Sequence, residues 1–334
     1  MKKIGYLYRI IMGVIALVLI FVSSVFVYFK FFKYNGKVKN ATLPEQLVFS
    51  KSNDDIINAG LIFTPKKEKA KLIAIIWVHG WGVNFYSPTY VSIGRYLAEE
   101  GYTCFDVNTR MHDLGNVEGY NGDKRIRGGG YWGIASEEWK DIAGWVDFAE
   151  SNGFKKIVLV GHSAGCAPVR DFQSRQQDNR VIGLVLGSGG VGDYSRNPLD
   201  SALIKQAARL VSENKGEALV QDTTRSFPSY RSAAAIMDET QGAPRDGDFF
   251  GINHANAAVS RIRCPILAFY ASNDIGNEKD LELLKSSIRK HAGGPKSVTT
   301  TMISGTDHMY TGEEKQVADL MAQWIESIST QIEK

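Results

Sequence analysis

The residues of this 334-residue chain most suited to chemistry are a serine, an acid and a histidine, each following a strand-like run. Ser163 lies in Lys156-Ile157-Val158-Leu159-Val160-Gly161-His162-Ser163-Ala164-Gly165, a buried-strand pattern entering a Gly-x-Ser-x-Gly turn. Such a turn exposes the hydroxyl of its serine as a nucleophile, and small residues two before and two after let the backbone double back without collision. The helix expected to follow aims its first amides at the same point and favours negative charge there. The null case, an ordinary glycine-rich strand-to-helix turn, has to be weighed against partners elsewhere in the chain.

Those partners exist, in the order serine, acid, histidine. Asp274 follows Pro265-Ile266-Leu267-Ala268-Phe269-Tyr270-Ala271 after Ser272-Asn273, where a carboxylate would project from the end of a strand. His308 lies in Gly305-Thr306-Asp307-His308-Met309-Tyr310, between the last strand-like run and the last helix. A histidine there can take the proton of the serine, while the carboxylate fixes its tautomer and stabilises the imidazolium. Asp193 is the fallback acid, and Asp307 reads as a local turn residue. A fourth segment, Trp77-Val78-His79-Gly80-Trp81-Gly82, ends another apolar run and can lend a backbone amide to a developing oxyanion. The expected donors are the N–H groups of Trp81 and Ala164, with His79 a structural hydrogen-bonding residue of the loop.

Positioning these groups takes a sheet with helices on both faces. Strands are expected at 46–50, 59–65, 72–78, 102–108, 156–161, 181–187, 265–271 and 297–303. Several are continuous apolar runs, as strands covered on both faces must be. Between them, Trp139, Ile142, Val146 and Ala149 share one helical face that Gly153 would end, and Val317, Leu320, Met321, Trp324, Ile325 and Ile328 form a stripe on the last helix. The alternation predicts a mostly parallel, doubly wound eight-stranded sheet with an antiparallel start. About 75 residues between the sixth and seventh strands are too long for a plain connection. They read as a helical cap insertion, about 193–261, whose Phe227, Tyr230, Phe249 and Phe250 would supply an apolar pocket wall.

With these residues in place, the chain resembles the α/β-hydrolase superfamily, of the serine esterase or lipase type, over roughly residues 45–330. The resemblance implies Ser163 as nucleophile, Asp274 as acid, His308 as base, and Trp81 and Ala164 as oxyanion donors. It implies hydrolysis of a carboxylic ester or related small-molecule acyl compound through an acyl-enzyme, with no cofactor. Acyl transfer, thioester cleavage and peptide cleavage use the same machinery and stay open, as does a non-catalytic membrane receptor or scaffold on this fold. Ser229-Tyr230-Arg231-Ser232-Ala233 and Asp246-Gly247-Asp248-Phe249-Phe250 more distantly resemble a branch that includes fungal siderophore esterases, from which no substrate follows.

Other patterns lead elsewhere or nowhere. Gly128-Gly129-Gly130-Tyr131-Trp132-Gly133 matches the dinucleotide fingerprint in letters but stands far from any preceding strand, so it reads as a flexible rim loop. No His, Cys and carboxylate set has metal-ligand spacing, and Cys104, Cys166 and Cys264 read as buried thiols. Asn40-Ala41-Thr42 matches a glycosylation acceptor, a pattern that arises often by chance. Seven of the 39 basic side chains and none of the 36 acidic ones lie in residues 1–39, so the remainder is net acidic and offers no nucleic-acid-binding face. The same segment contains Ile10 to Phe29, an uncharged apolar run long enough as a helix, at about 1.5 Å per residue, to cross a bilayer. The aromatic and basic residues that follow suit a lipid interface, so residues 1–32 read as an uncleaved single-pass anchor in preference to a cleaved signal peptide. Residues 33–45 form a linker and 46–334 the catalytic domain. Three basic residues before the span and four after it do not fix the orientation by charge; an extracytoplasmic catalytic domain is the favoured side.

Overall fold

A computed structural model describes residues 38–119, 125–189, 201–222, 229–241, 254, 256–274, 276–290, 294, 295 and 297–332. The expected membrane span at 10–29 lies outside these residues, as do Asp193, Phe227, Phe249 and Phe250. Among the described residues no helix is long and apolar enough to cross a membrane.

All eight expected strands form, and they form one sheet. In chain order the sheet strands are β1 (Glu45–Lys51), β2 (Ile57–Phe63), β3 (Ile73–Val78), β4 (Thr103–Val107), β7 (Lys156–His162), β8 (Val181–Gly187), β11 (Ile266–Asn273) and β12 (Val298–Asp307). Their spatial order is β1-β2-β4-β3-β7-β8-β11-β12. The first two strands run antiparallel to each other and β2 runs antiparallel to β4; the other pairs are parallel.

Alternate residues of β3 show why the strand must be apolar throughout. Ala74, Ile76 and Val78 join one core, with Ile142, Trp145 and Val146 of helix α2 (Trp139–Ser151) and Val169 and Phe172 of helix α3 (Cys166–Gln176). Ile73, Ile75 and Trp77 join the other, with Tyr90, Ile93 and Leu97 of helix α1 (Pro88–Glu99) and the C-terminal stripe of Val317, Met321, Trp324, Ile325 and Ile328. Burying each large apolar side chain contributes about 1.5–3 kcal/mol, so both layers are strongly selected. As expected, α2 stops before Gly153, which takes φ 93°, a conformation that glycine adopts without strain.

Two expectations need correction. The insertion is not purely helical: its described part holds α4 (Ser201–Ser212), β9 (Leu219–Asp222), β10 (Ser229–Ser232) and α5 (Ala233–Gln241), with the two strands paired antiparallel. Four-residue strands are too short to print a period-2 pattern. The glycine-rich segment is not a plain rim loop either. It continues a hairpin of β5 (Asn116–Gly119) and β6 (Arg125–Gly128) into a helical turn, Gly129–Trp132. Main-chain bonds from Gly129 N–H to Arg110 O (2.7 Å), Gly130 N–H to Asp113 O (2.8 Å) and Tyr131 N–H to Leu114 O (2.9 Å) tie it down.

Candidate active site

The chain changes direction across the sheet at β3: β4 lies on one side and β7 on the other, which opens a crevice at their carboxyl ends. Register brings Val78 opposite Gly161 and His162 opposite Gly187, so the loops after β3, β7 and β8 start side by side.

The turn after β7 is as tight as the glycine spacing requires. Ser163 takes φ 53°, a left-handed conformation that costs a non-glycine residue of order 1–3 kcal/mol. A Cβ on Gly161 would meet the Gly165 carbonyl oxygen at 2.4 Å, and one on Gly165 would meet the His79 carbonyl oxygen at 2.3 Å. Both glycines are therefore demanded by close backbone approach, within the turn and against the loop after β3. Residues 163–165 form a 3-10 turn that leads into α3, whose N-terminus begins beside the serine.

Asp274 and His308 come to this point from strands that are neighbours. β11 continues through Ser272 and Asn273, beyond the strand expected at 265–271, because Asn273 pairs with Asp307 of β12 beyond a bulge. Both strands then end, at Asp274 and His308. His308 Nδ1 lies 2.6 Å from Asp274 Oδ1, and His308 Nε2 lies 2.9 Å from Ser163 Oγ. The carboxylate is fully buried, while the imidazole keeps about a third of its surface open (34% exposed). A carboxylate accepts, so Nδ1 carries the ring proton and Nε2 is left as the acceptor facing the serine hydroxyl. That arrangement can abstract the proton of Ser163 and stabilise the resulting imidazolium.

The loop after β3 is held by buried side chains. His79 Nδ1 donates to the Gly80 carbonyl oxygen (2.7 Å), and its Nε2 accepts from Thr109 N–H (3.2 Å). Burial drives the His79 pKa down to about 4, so the ring stays neutral. Thr109 Oγ1 lies 2.5 Å from Glu138 Oε1, and burial raises that carboxyl to about 8. Beside it Arg110 engages Asp141 with both Nε (2.9 Å) and Nη2 (3.0 Å). Of the expected oxyanion residues, Trp81 is half-buried in this loop and Ala164 is exposed at the start of the turn next to Ser163.

Aromatic rings continue outward from this loop. Trp81 and Tyr131 have centroids 6.4 Å apart, and Tyr131 and Tyr230 lie 6.3 Å apart, so a row of aromatic side chains runs from the loop after β3 to the insertion. Tyr230 is 41% exposed. Of the expected wall residues only Tyr230 is described, and it stands beside Tyr131, which the sequence reading did not single out, in the glycine-rich segment. Among the described residues no group of His, Cys, Asp and Glu is arranged to hold a metal ion.

A family model for the alpha/beta hydrolase family matches residues 75–320, which include every element that carries Ser163, Asp274 and His308. The chain belongs to that family. No curated protein matches it. Solved structures similar to this chain include Est1E from Butyrivibrio proteoclasticus, 14% identical, covering 85% of this chain and 99% of that one, with TM-score 0.55. DcsB in complex with its substrate analogue is 14% identical over 85% of this chain and 99% of its own, with TM-score 0.62. The esterase Pf2001 of Pyrococcus furiosus is 13% identical over 87% and 98%, with TM-score 0.53. At these identities the likeness is one of fold.

Proposed function

We propose that this alpha/beta hydrolase cleaves a carboxylic ester through an acyl-enzyme on Ser163. The observation that supports it most is the unbroken hydrogen-bonded line from Asp274 through His308 to Ser163, drawn from three strand ends that the sheet brings together. In this reading His308 takes the proton of Ser163 as its Oγ attacks the acyl carbon. The N–H groups of Trp81 and Ala164 receive the oxyanion, and His308 then protonates the departing alcohol. Water attacks the acyl group with His308 again as base, which regenerates the serine.

The substrate of this reading is a small acyl compound with a flat apolar part, because the row Trp81, Tyr131, Tyr230 offers ring faces and edges near the loop of the oxyanion donors. Est1E, which shares the fold, has been solved with ferulic acid bound. The apolar run Ile10 to Phe29 supports a further part of the proposal, that the chain is held at a bilayer.

A fluorophosphonate probe on the full chain tests the chemistry. Wild type is expected to be labelled and Ser163→Ala to be unlabelled, with kcat on a responsive ester lower by roughly 10⁶-fold. Folded wild-type protein that resists the probe would sink the proposal. Reading the label in separated fractions tests the bilayer part, which fails where full-length labelled protein stays soluble.

A further inference from the structure

Three loops carry the candidate chemistry, and two buried side chains outside the triad join them. Tyr90, in α1, is fully buried and packs on Trp77 with ring centroids 5.6 Å apart. Its hydroxyl oxygen accepts from Gly80 N–H (3.1 Å) and lies 2.7 Å from His162 Nδ1. His162 is 1% exposed, and its Nε2 lies 2.8 Å from the His308 carbonyl oxygen.

Every direction in this chain of bonds is fixed by elementary rules. A carbonyl oxygen only accepts, so His162 Nε2 carries the ring proton. In a neutral ring Nδ1 is then the acceptor, so the Tyr90 hydroxyl donates to it and uses a lone pair for Gly80 N–H. The ring is neutral because burial, reinforced by the nearby His308, drives its pKa down to about 3. One tautomer therefore satisfies the amide of the loop after β3, the residue before Ser163 and the main chain of His308.

We infer that Tyr90 and His162 are positioning residues for the reaction, holding the oxyanion loop, the nucleophile turn and the base loop in register through this single tautomer. The inference rests on the roles proposed above for Ser163, His308 and Trp81. Neither residue touches a reacting atom or passes a proton. On one side, the Gly80 amide is bonded by Tyr90 and the Gly80 carbonyl by His79 Nδ1 (2.7 Å). A trans peptide is planar with its N–H opposed to its C=O, so pinning the Gly80 carbonyl also aims the Trp81 N–H. On the other side, the bond to the His308 carbonyl fixes the backbone from which the imidazole reaches Ser163 and Asp274. Misplacing such groups by about 1 Å costs up to about 100-fold in rate.

Steady-state kinetics and ring ¹⁵N NMR on the full chain test this. Tyr90→Phe keeps the ring and removes the hydroxyl; kcat and the rate of fluorophosphonate labelling are expected to fall by about 10- to 100-fold, with KM nearly unchanged. His162→Gln can offer an N–H to His308 and is expected to retain about 10-fold more turnover than His162→Phe, which cannot. In wild type, the His162 ring should show a proton on Nε2 and none on Nδ1 throughout about pH 5 to 9. Wild-type kcat in Tyr90→Phe, equal turnover of the two His162 variants, or a ring that titrates or is protonated on Nδ1 would each overturn the inference. Wild-type protein unreactive at Ser163 sinks the hydrolytic reading instead. The NMR experiment needs no substrate and still decides whether the loops are joined in this way.

Discussion

The nucleophile turn and the insertion are both held to their neighbours by hydrogen bonds, yet in opposite surroundings. Around Ser163 the bonds are buried: His79, Thr109 and Glu138 on one side, Tyr90 and His162 on the other. The insertion has its own small core of Leu203, Ala207, Val220, Ala233 and Ile236. Its described polar links to the glycine-rich segment and to the turn before α2 are exposed: Asp238 accepts from Ser136 N–H and Oγ (3.0 and 2.5 Å), and Trp132 Nε1 donates to the Glu217 carbonyl (3.0 Å). A buried polar group that loses its partner keeps its full desolvation penalty, whereas an exposed one turns to water. The site floor is thus built to hold one geometry, and the insertion is attached by contacts that are cheap to exchange.

The sharpest way to break the contrast is Gly165→Ala. The added methyl meets the His79 carbonyl oxygen at 2.3 Å, and backbone on both sides leaves nowhere to yield. A loss of about 1–3 kcal/mol in stability is expected, together with a fall in kcat of about 100-fold or more as the two loops are pushed apart. Gly153→Ala is the control: there φ is left-handed, unlike the −62° of Gly165, but nothing lies within 4 Å of the new methyl. It should cost about 1 kcal/mol in denaturant titrations and leave kcat alone. Equal kinetic effects from the two substitutions would remove the distinction between a crowded turn and a merely strained one.

How much of this was legible beforehand follows the same division. The inner sheet strands could be read because strands buried on both faces must be apolar at every position, as in Ile73 to Val78. Ser163 and Asp274 could be located because each follows such a run, and His308 because it stands between the last strand-like run and the last helix. The extension of β11 through Asn273 could not, since it depends on pairing with Asp307 across a bulge and not on its own polar residues. Asn116–Gly119 and Arg125–Gly128 carry too few apolar residues to announce a hairpin. His162 was only the variable letter of Gly-x-Ser-x-Gly. Its link to Tyr90 spans 72 residues and arises where α1 crosses the loop after β3, which no spacing in the sequence encodes.

The buried side of the comparison also predicts a pH dependence. Burial holds Glu138 protonated up to about 8, far above the ordinary carboxyl value of 4.5, while hydrogen bonding from Thr109 opposes the shift. The folded state therefore binds more protons than the unfolded chain between these limits, and stability falls as pH rises from about 4.5 to about 8. Glu138→Gln keeps an acceptor for Thr109 and removes the titration. The variant should match wild type near pH 4 to 5 and exceed it by a few kcal/mol at pH 9, read from urea midpoints at each pH. Parallel stability curves would show that Glu138 is ionised in the fold. The buried neutral histidines act in the other direction: with His79 and His162 held down to about 4 and about 3, stability is also lost as pH falls below about 6.5.

The smallest effect is expected at the insertion. Asp238→Ala removes both bonds to Ser136, but each partner is exposed, so global stability should change by less than about 1 kcal/mol. What changes is how firmly α5 and the neighbouring Tyr230 are held beside Tyr131. Substrate that uses the Tyr131 and Tyr230 rings would meet a looser wall, and KM should rise by up to about 10-fold at nearly constant kcat, because ground state and transition state lose the same contact. An ester whose acyl part is too short to reach these rings should show no change in KM. A fall in kcat with the short ester would mean that the insertion helps to set the catalytic geometry itself, and the contrast between a fixed floor and an exchangeable cover would fail.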